Sequence, residues 1–261
     1  MEKMRKMMIL VLVAVMAVSG FMMVRRNLKL KKEEVEYARL QEEMAREAAE
    51  KAAGEAVRRE AETTAAAGGP NEPDFAKGNE EGPAYEAPQA LLDEMGAHPD
   101  CIGWIDIEDT NIHYPVMQNQ DNEYYLHRNA DGEDSISGCI YMDSNHDIST
   151  KGLHTIYGHH MKNGSMFKDV AKFADPAYME AHQNITIQAA DHEIQLKPVY
   201  CYAGKADGAY RQVLETHGQV VQFIMDHTGL EINTDDLYVL VTCSYGSADE
   251  RTYLYCVPVE D

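Results

Sequence analysis

Residues 237–258, LYVLVTCSYGSADERTYLYCVP, decide how the rest of the chain is read. An apolar run, LYVLV, delivers Thr242 and Cys243 to the polar turn SYGSADE, and Arg251 then heads a second apolar run, TYLYCVPV. Two β-type runs flank that turn, so a thiol at the end of one strand and a guanidinium at the start of the next can face one cleft. A histidine joining them would make this a cysteine-nucleophile enzyme.

Working outward, the chain from residue 89 reads as one short helix, QALLDEM, followed by eight short β-rich runs. These are 101–107, 111–117, 138–142, 154–158, 184–189, 193–203, 237–242 and 252–258. Their close spacing favours antiparallel pairing, and eight strands suit a closed barrel. Helical character interrupts the strands around Tyr124–His127, at Ser165–Phe173 and at Arg211–Thr228. The last stretch carries Val213, Leu214, Val220, Val221, Phe223 and Ile224, enough for an amphipathic helix between late strands. The fold class is therefore mainly β, a closed eight-stranded barrel with a helix ahead of it and another inserted near its end.

The N-terminal third divides by composition. Residues 7–24, MMILVLVAVMAVSGFMMV, are an uncharged apolar run. At about 1.5 Å per residue in a helix it reaches about 27 Å, enough for a bilayer. Residues 1–32 are read as a membrane anchor with basic flanks; Ala17-Val18-Ser19 is only a passable cleavage site for the alternative, an export signal. Residues 33–67, rich in Glu, Ala and Arg with a weak apolar stripe and no sustained heptad, are expected to form a solvated stalk helix outside any core. Residues 68–88 read as a flexible linker, and 89–261 as one β-rich globular domain.

Beyond residue 32 the chain carries 15 basic and 43 acidic residues, a poor match for nucleic acid or anionic lipid. The basic residues Arg25, Arg26, Lys29, Lys31 and Lys32 after the span outnumber Lys3, Arg5 and Lys6 before it, which by charge alone keeps the C-terminus inside. Five cysteines without a CxxC pair suggest neither a zinc cage nor a disulfide framework, and Cys139, Cys201 and Cys256 lie in apolar runs as small buried side chains. Among eleven histidines, His159 and His160 stand out, following a β-type run that ends at Gly158. Strand alternation lets at most one of them face the cleft. No HExxH or other zinc spacing accompanies them, so neither a metal nor a cofactor is expected.

The strings IYGHHM and LVTCSY, with Arg251 eight residues after the cysteine, resemble the signature of sortases, the cysteine transpeptidases of Gram-positive bacterial surfaces. GWIDIEDTNIHYPVMQ, DNEYYLH and SGCIYMD extend the resemblance from about residue 89 to the C-terminus, and the late inserted helix is similar to class B members in particular. The resemblance implies Cys243 as nucleophile, His159 as the acid and base, and Arg251 as a substrate or oxyanion ligand. It also implies substrate contacts at Leu126, Thr242 and Ser244, with core packing an equal use for a leucine. The implied reaction cleaves the C-terminal sorting motif of a surface protein after Thr, holds the acyl group on Cys243 as a thioester, and passes it to a peptidoglycan cross-bridge or pilin amine. Such a substrate lies outside the cell, so the span would place the catalytic domain extracellularly as a single-pass protein, against the flank-charge count. Two other readings stand beside it: a different cysteine peptidase, disfavoured as papain-like because His precedes Cys, and a membrane-anchored binding domain on the same barrel without catalysis.

Overall fold

Each of the eight apolar runs forms a strand: β1 (Cys101–Ile107), β2 (His113–Met117), β3 (Ile140–Met142), β4 (Leu153–Tyr157), β5 (Ile185–Gln188), β6 (Glu193–Lys205), β7 (Leu237–Cys243) and β8 (Glu250–Pro258). They close into a barrel in the order β1-β2-β3-β4-β7-β8-β6-β5, with β5 returning to β1. The computed structural model describes residues 2–66, 85–243 and 249–259, so most of the expected linker at 68–88 lies outside the described residues.

The pairing is mixed where antiparallel neighbours were expected. β2 pairs with β3 in parallel, and β4 pairs with β7 in parallel from Leu153↔Leu237 to Tyr157↔Val241. Short runs reveal strand length but not direction, and parallel neighbours need long connections. Both are available: residues 118–139 separate β2 from β3, and β5, β6 and four helical pieces lie between β4 and β7.

Two of those pieces follow from the predicted stretch at Ser165–Phe173. A 3-10 helix runs over Phe167–Ala174, burying Phe167, Val170 and Phe173, and α3 (Pro176–Ala181) follows with the Asp175 carboxylate accepting from the Ala177 amide. A second 3-10 helix, Gly208–Arg211, is the third, and the fourth, α4 (His217–Thr228), begins later than its apolar content suggested, because Thr216 caps it. The Thr216 side chain accepts from the Gln219 amide while the Gln219 side chain returns to Thr216, and Gly229 at φ 71° ends the helix. Val213 consequently falls outside the helix and is exposed, while Val220, Phe223 and Ile224 pack on Val239, Val241, Tyr253 and Tyr255. Tyr124–His127 folds as hydrogen-bonded turns and not as a helix, with the Tyr124 amide donating to Asp121 and the His127 amide to Tyr124.

Two compact units make up the chain, Met1–Arg39 and Leu40–Asp261, and α1 (Glu2–Ala66) contributes to both. In the first, large apolar residues such as Leu10, Met16 and Phe21 are exposed on a helix long and apolar enough to cross a membrane. In the second, α2 (Gln89–Ala97) precedes β1, and the reading of a wholly solvated stalk is corrected. Met44 is buried in one cluster with Leu91, Trp104 and Tyr125, and Leu40 packs at its edge. Gln41 donates to the His113 carbonyl at 2.8 Å, and the Glu47 carboxylate accepts from the Ala90 amide at 2.9 Å. A stripe of one Leu and one Met among Gln and Ala is too weak to be seen as amphipathic, yet small residues and two side-chain hydrogen bonds suffice to seat the helix.

Candidate active site

Cys243 ends β7 and Arg251 lies near the start of β8, and the antiparallel register sets them directly opposite each other. Alternation gives them the same face as Val241 and Tyr253. β4 lies on the other side of β7, and the chain leaves it at Gly158, whose amide donates to the Val241 carbonyl at 3.1 Å. A β-carbon at Gly158 would run into Ile140 and Phe167, so only glycine lets the chain turn so close to the barrel.

The two histidines beyond it separate as alternation requires. His159 lines a cavity of about 240 Å³ together with Cys243 and Arg251, and its Nε2 donates to the Leu126 carbonyl at 2.7 Å. His160 instead donates from Nδ1 to the Cys243 carbonyl at 3.0 Å. Burial, against the weaker pull of that carbonyl, lowers the His160 pKa, which keeps the ring neutral and the end of β7 tied down.

Of the three residues expected at the substrate, Leu126 and Thr242 line the same cavity, whereas Ser244 lies outside the described residues. Leu126 brings its carbonyl to His159. Gly138, at φ 56°, packs so close to that carbonyl that a β-carbon there would strike both the Tyr125 and Leu126 carbonyls. Thr242 is buried, and its hydroxyl has no hydrogen-bond partner among the described residues.

Among the described residues, the remaining wall consists of Gly158 and Val241 with Asn122, Tyr141, Tyr157 and Arg211. Behind them sits Asp143, fully buried. Its Oδ2 accepts from Asn122 at 2.8 Å and from the Tyr157 hydroxyl at 2.9 Å, and the Arg211 guanidinium lies 3.4 Å away. Burial and then the Asp143 charge push the Tyr157 hydroxyl pKa far up, so it stays a donor; Tyr141, facing Tyr157 across β3 and β4, is raised for the same two reasons. Among the described residues no group of three or more His, Cys, Asp and Glu gathers to hold a metal.

A cleft that brings a strand-end thiol, an imidazole and a guanidinium together is suited to acyl transfer. The sortase-domain family profile matches residues 105–259. The chain belongs to the sortase family. Among its relatives, sortase B of Listeria monocytogenes is 36% identical over 118 residues, covering 44% of this chain and 48% of that protein. Sortase B of Staphylococcus aureus is 28% identical over 139 residues, covering 52% and 57%. The chain thus matches about half the length of these curated relatives. A sortase B from B. anthracis, solved in complex with AAEK1, superposes with a TM-score of 0.59 at 26% identity, covering 70% of this chain and 91% of that one.

Within this sortase domain, sequence reasoning missed Asn122, Tyr141, Asp143, Tyr157 and Arg211. Asn122, Tyr141, Asp143 and Tyr157 sit inside the strings DNEYYLH, SGCIYMD and TIYGHH, so position beside a recognised motif was a usable signal. Arg211 lies in no such string, and nothing local marks it.

Proposed function

We propose that this chain is a membrane-anchored cysteine transpeptidase that cuts the sorting motif of a surface protein after Thr and joins the new carboxyl end to an amine. The observation that carries this reading is the cross-strand pair Cys243 and Arg251 on a cavity shared with His159. The Cys243 thiolate attacks the Thr carbonyl and the C–O π electrons move onto oxygen. Arg251 stabilises that oxyanion or holds the peptide backbone, a task for a guanidinium that keeps its proton. As the C–N bond breaks, His159 gives a proton to the departing amine, leaving a thioester on Cys243. An incoming amine from a peptidoglycan cross-bridge or pilin lysine then attacks, His159 takes its proton, and the C–S bond breaks to return the thiolate.

The Leu126 carbonyl orients His159 in this scheme. Thr242, with its hydroxyl buried, meets the peptide through its main chain, and Ser244 flanks the nucleophile. The apolar helix at residues 7–24 is the single-pass anchor, with the acidic domain outside the cell, where both substrates would be found.

The test uses the full chain in detergent micelles with Thr-containing sorting peptides and an amine acceptor. Wild type should form a hydroxylamine-sensitive acyl adduct on Cys243, and Cys243→Ala should lose at least about a thousandfold in cleavage. Cleavage persisting in that variant would remove Cys243 as nucleophile.

A further inference from the structure

The cleft holds a second guanidinium that the transpeptidation scheme leaves idle. Arg211 and Arg251 are the charged groups fixed in positive form on its lining, and no carboxylate is among the described lining residues, although the whole chain carries a net charge of −21. Cationic lining against an acidic body attracts an anion locally.

Arg211 is firmly placed at the end of the short 3-10 helix Gly208–Arg211. The carbonyls of Tyr210, Arg211 and Gln212 each accept a side-chain hydrogen bond, from Thr155 at 2.6 Å, Asn145 at 3.0 Å and His146 at 2.9 Å. The backbone carrying the guanidinium is thereby fastened to β4 and to the loop before it. Its Nε edge faces the buried Asp143, but at 3.4 Å, and the same carboxylate oxygen already accepts shorter bonds from Asn122 and Tyr157. Asp143 therefore steers the guanidinium while much of its own charge is spent on two other donors. The Arg211 side chain remains 54% exposed, with the four N–H donors of its two terminal nitrogens to offer in a planar fork.

We propose that Arg211 forms an anion-reading subsite in this cleft, favouring peptides that carry a carboxylate side chain close to the scissile bond. The proposal rests on the peptide-cleaving function argued above. It adds a choice of substrate: Asp143 acts as the positioning residue, and the Arg211 fork pairs with a Glu or Asp side chain of the bound peptide.

The experiment uses the full chain in detergent micelles with sets of Thr-containing sorting peptides in which one position at a time is Glu, Gln or Lys. At the position that meets Arg211, wild type should cleave Glu over Gln by about three- to tenfold in kcat/KM, with Lys poorest, as suits a half-exposed ion pair. Arg211→Gln should bring the Glu-to-Gln ratio to about one, Arg211→Glu should invert the order, and Arg211→Lys should keep part of the preference. Raising NaCl should shrink the wild-type ratio. A wild type with no preference for Glu at any position, or a preference that survives Arg211→Gln, overturns the subsite while leaving the cleavage reaction intact. Absence of cleavage and of Cys243 acylation with every peptide would overturn the function itself, and this subsite with it.

Discussion

One face of the β7–β8 ladder is used in two ways. From Leu237 to Val241 and from Tyr253 to Val257 it lies under α4, where Val220, Phe223 and Ile224 complete an apolar cluster. One step further along the same face, Cys243 and Arg251 line the cleft. The covered end holds the register and the open end uses it. A slip of one residue would turn Cys243 or Arg251 to the opposite face, so the packing under α4 keeps thiol and guanidinium opposite each other.

The comparison breaks most sharply at its open end. Arg251→Lys should lower kcat/KM for peptide cleavage by about a hundred- to a thousandfold, because a point ammonium cannot copy the guanidinium fork at a developing oxyanion. The thermal midpoint should stay within about 2 °C of wild type, since no buried apolar surface is lost. A loss below about tenfold would remove Arg251 from the chemistry. At the covered end the expectation is reversed. Phe223→Ala should cost about 3–5 kcal/mol in chemical unfolding, since the ring is buried and its neighbours Tyr210 and Val220 belong to the same cluster. A cost under about 1 kcal/mol would mean that α4 does not hold the ladder.

The wall between the two ends should respond at an intermediate level. Tyr157 is opposite Val241 on one side and Tyr141 on the other, and its hydroxyl donates to Asp143. Tyr157→Phe keeps the ring and leaves a buried carboxylate one donor short, at a cost of about 1–3 kcal/mol in unfolding. An unchanged midpoint would show that Asn122 and Arg211 satisfy Asp143 without it.

These regions also differ in how far they could be read from the sequence. The covered end is written in local pattern: short β-rich runs between turn residues marked all eight strands, and Thr216 with Gln219 explains where α4 starts. His159, Cys243 and Arg251 sit within motifs and fall on one cavity. Strand direction was not legible, because β4 and β7 are parallel through a connection of many residues that no short-range pattern encodes. The Asp143 hub was equally hidden, since Asn122, Tyr157 and Arg211 converge from three distant segments. The seat of α1 escaped notice because, among the described residues, Met44 is the one residue of α1 in the buried cluster that includes β1, α2 and Tyr125.

The smallest effect should come from His146, which ties the Arg211 segment to β4 and lies on the cleft side of the comparison. Its Nδ1 accepts from the Thr155 amide at 3.0 Å and its Nε2 donates to the Gln212 carbonyl at 2.9 Å. Both ring nitrogens are thus committed to the neutral form, and a proton on Nδ1 would face an N–H. Burial, the largest cause, lowers the pKa from its ordinary value near 6.5, with the Gln212 carbonyl and Asp143 opposing it and His154 adding to it. The unfolded chain therefore binds a proton at this site at a higher pH than the folded one does. Stability from His146 is full above the ordinary imidazole pKa, declines as pH falls below it, and levels off once the folded ring protonates. Hydrogen exchange followed from neutral pH into the mildly acidic range, corrected for intrinsic rates, should show earlier loss of protection at residues 208–214 than in β7 beneath α4. Equal loss in both would mean that acid weakens the barrel as a whole, and the two ends of the ladder would then share one stability.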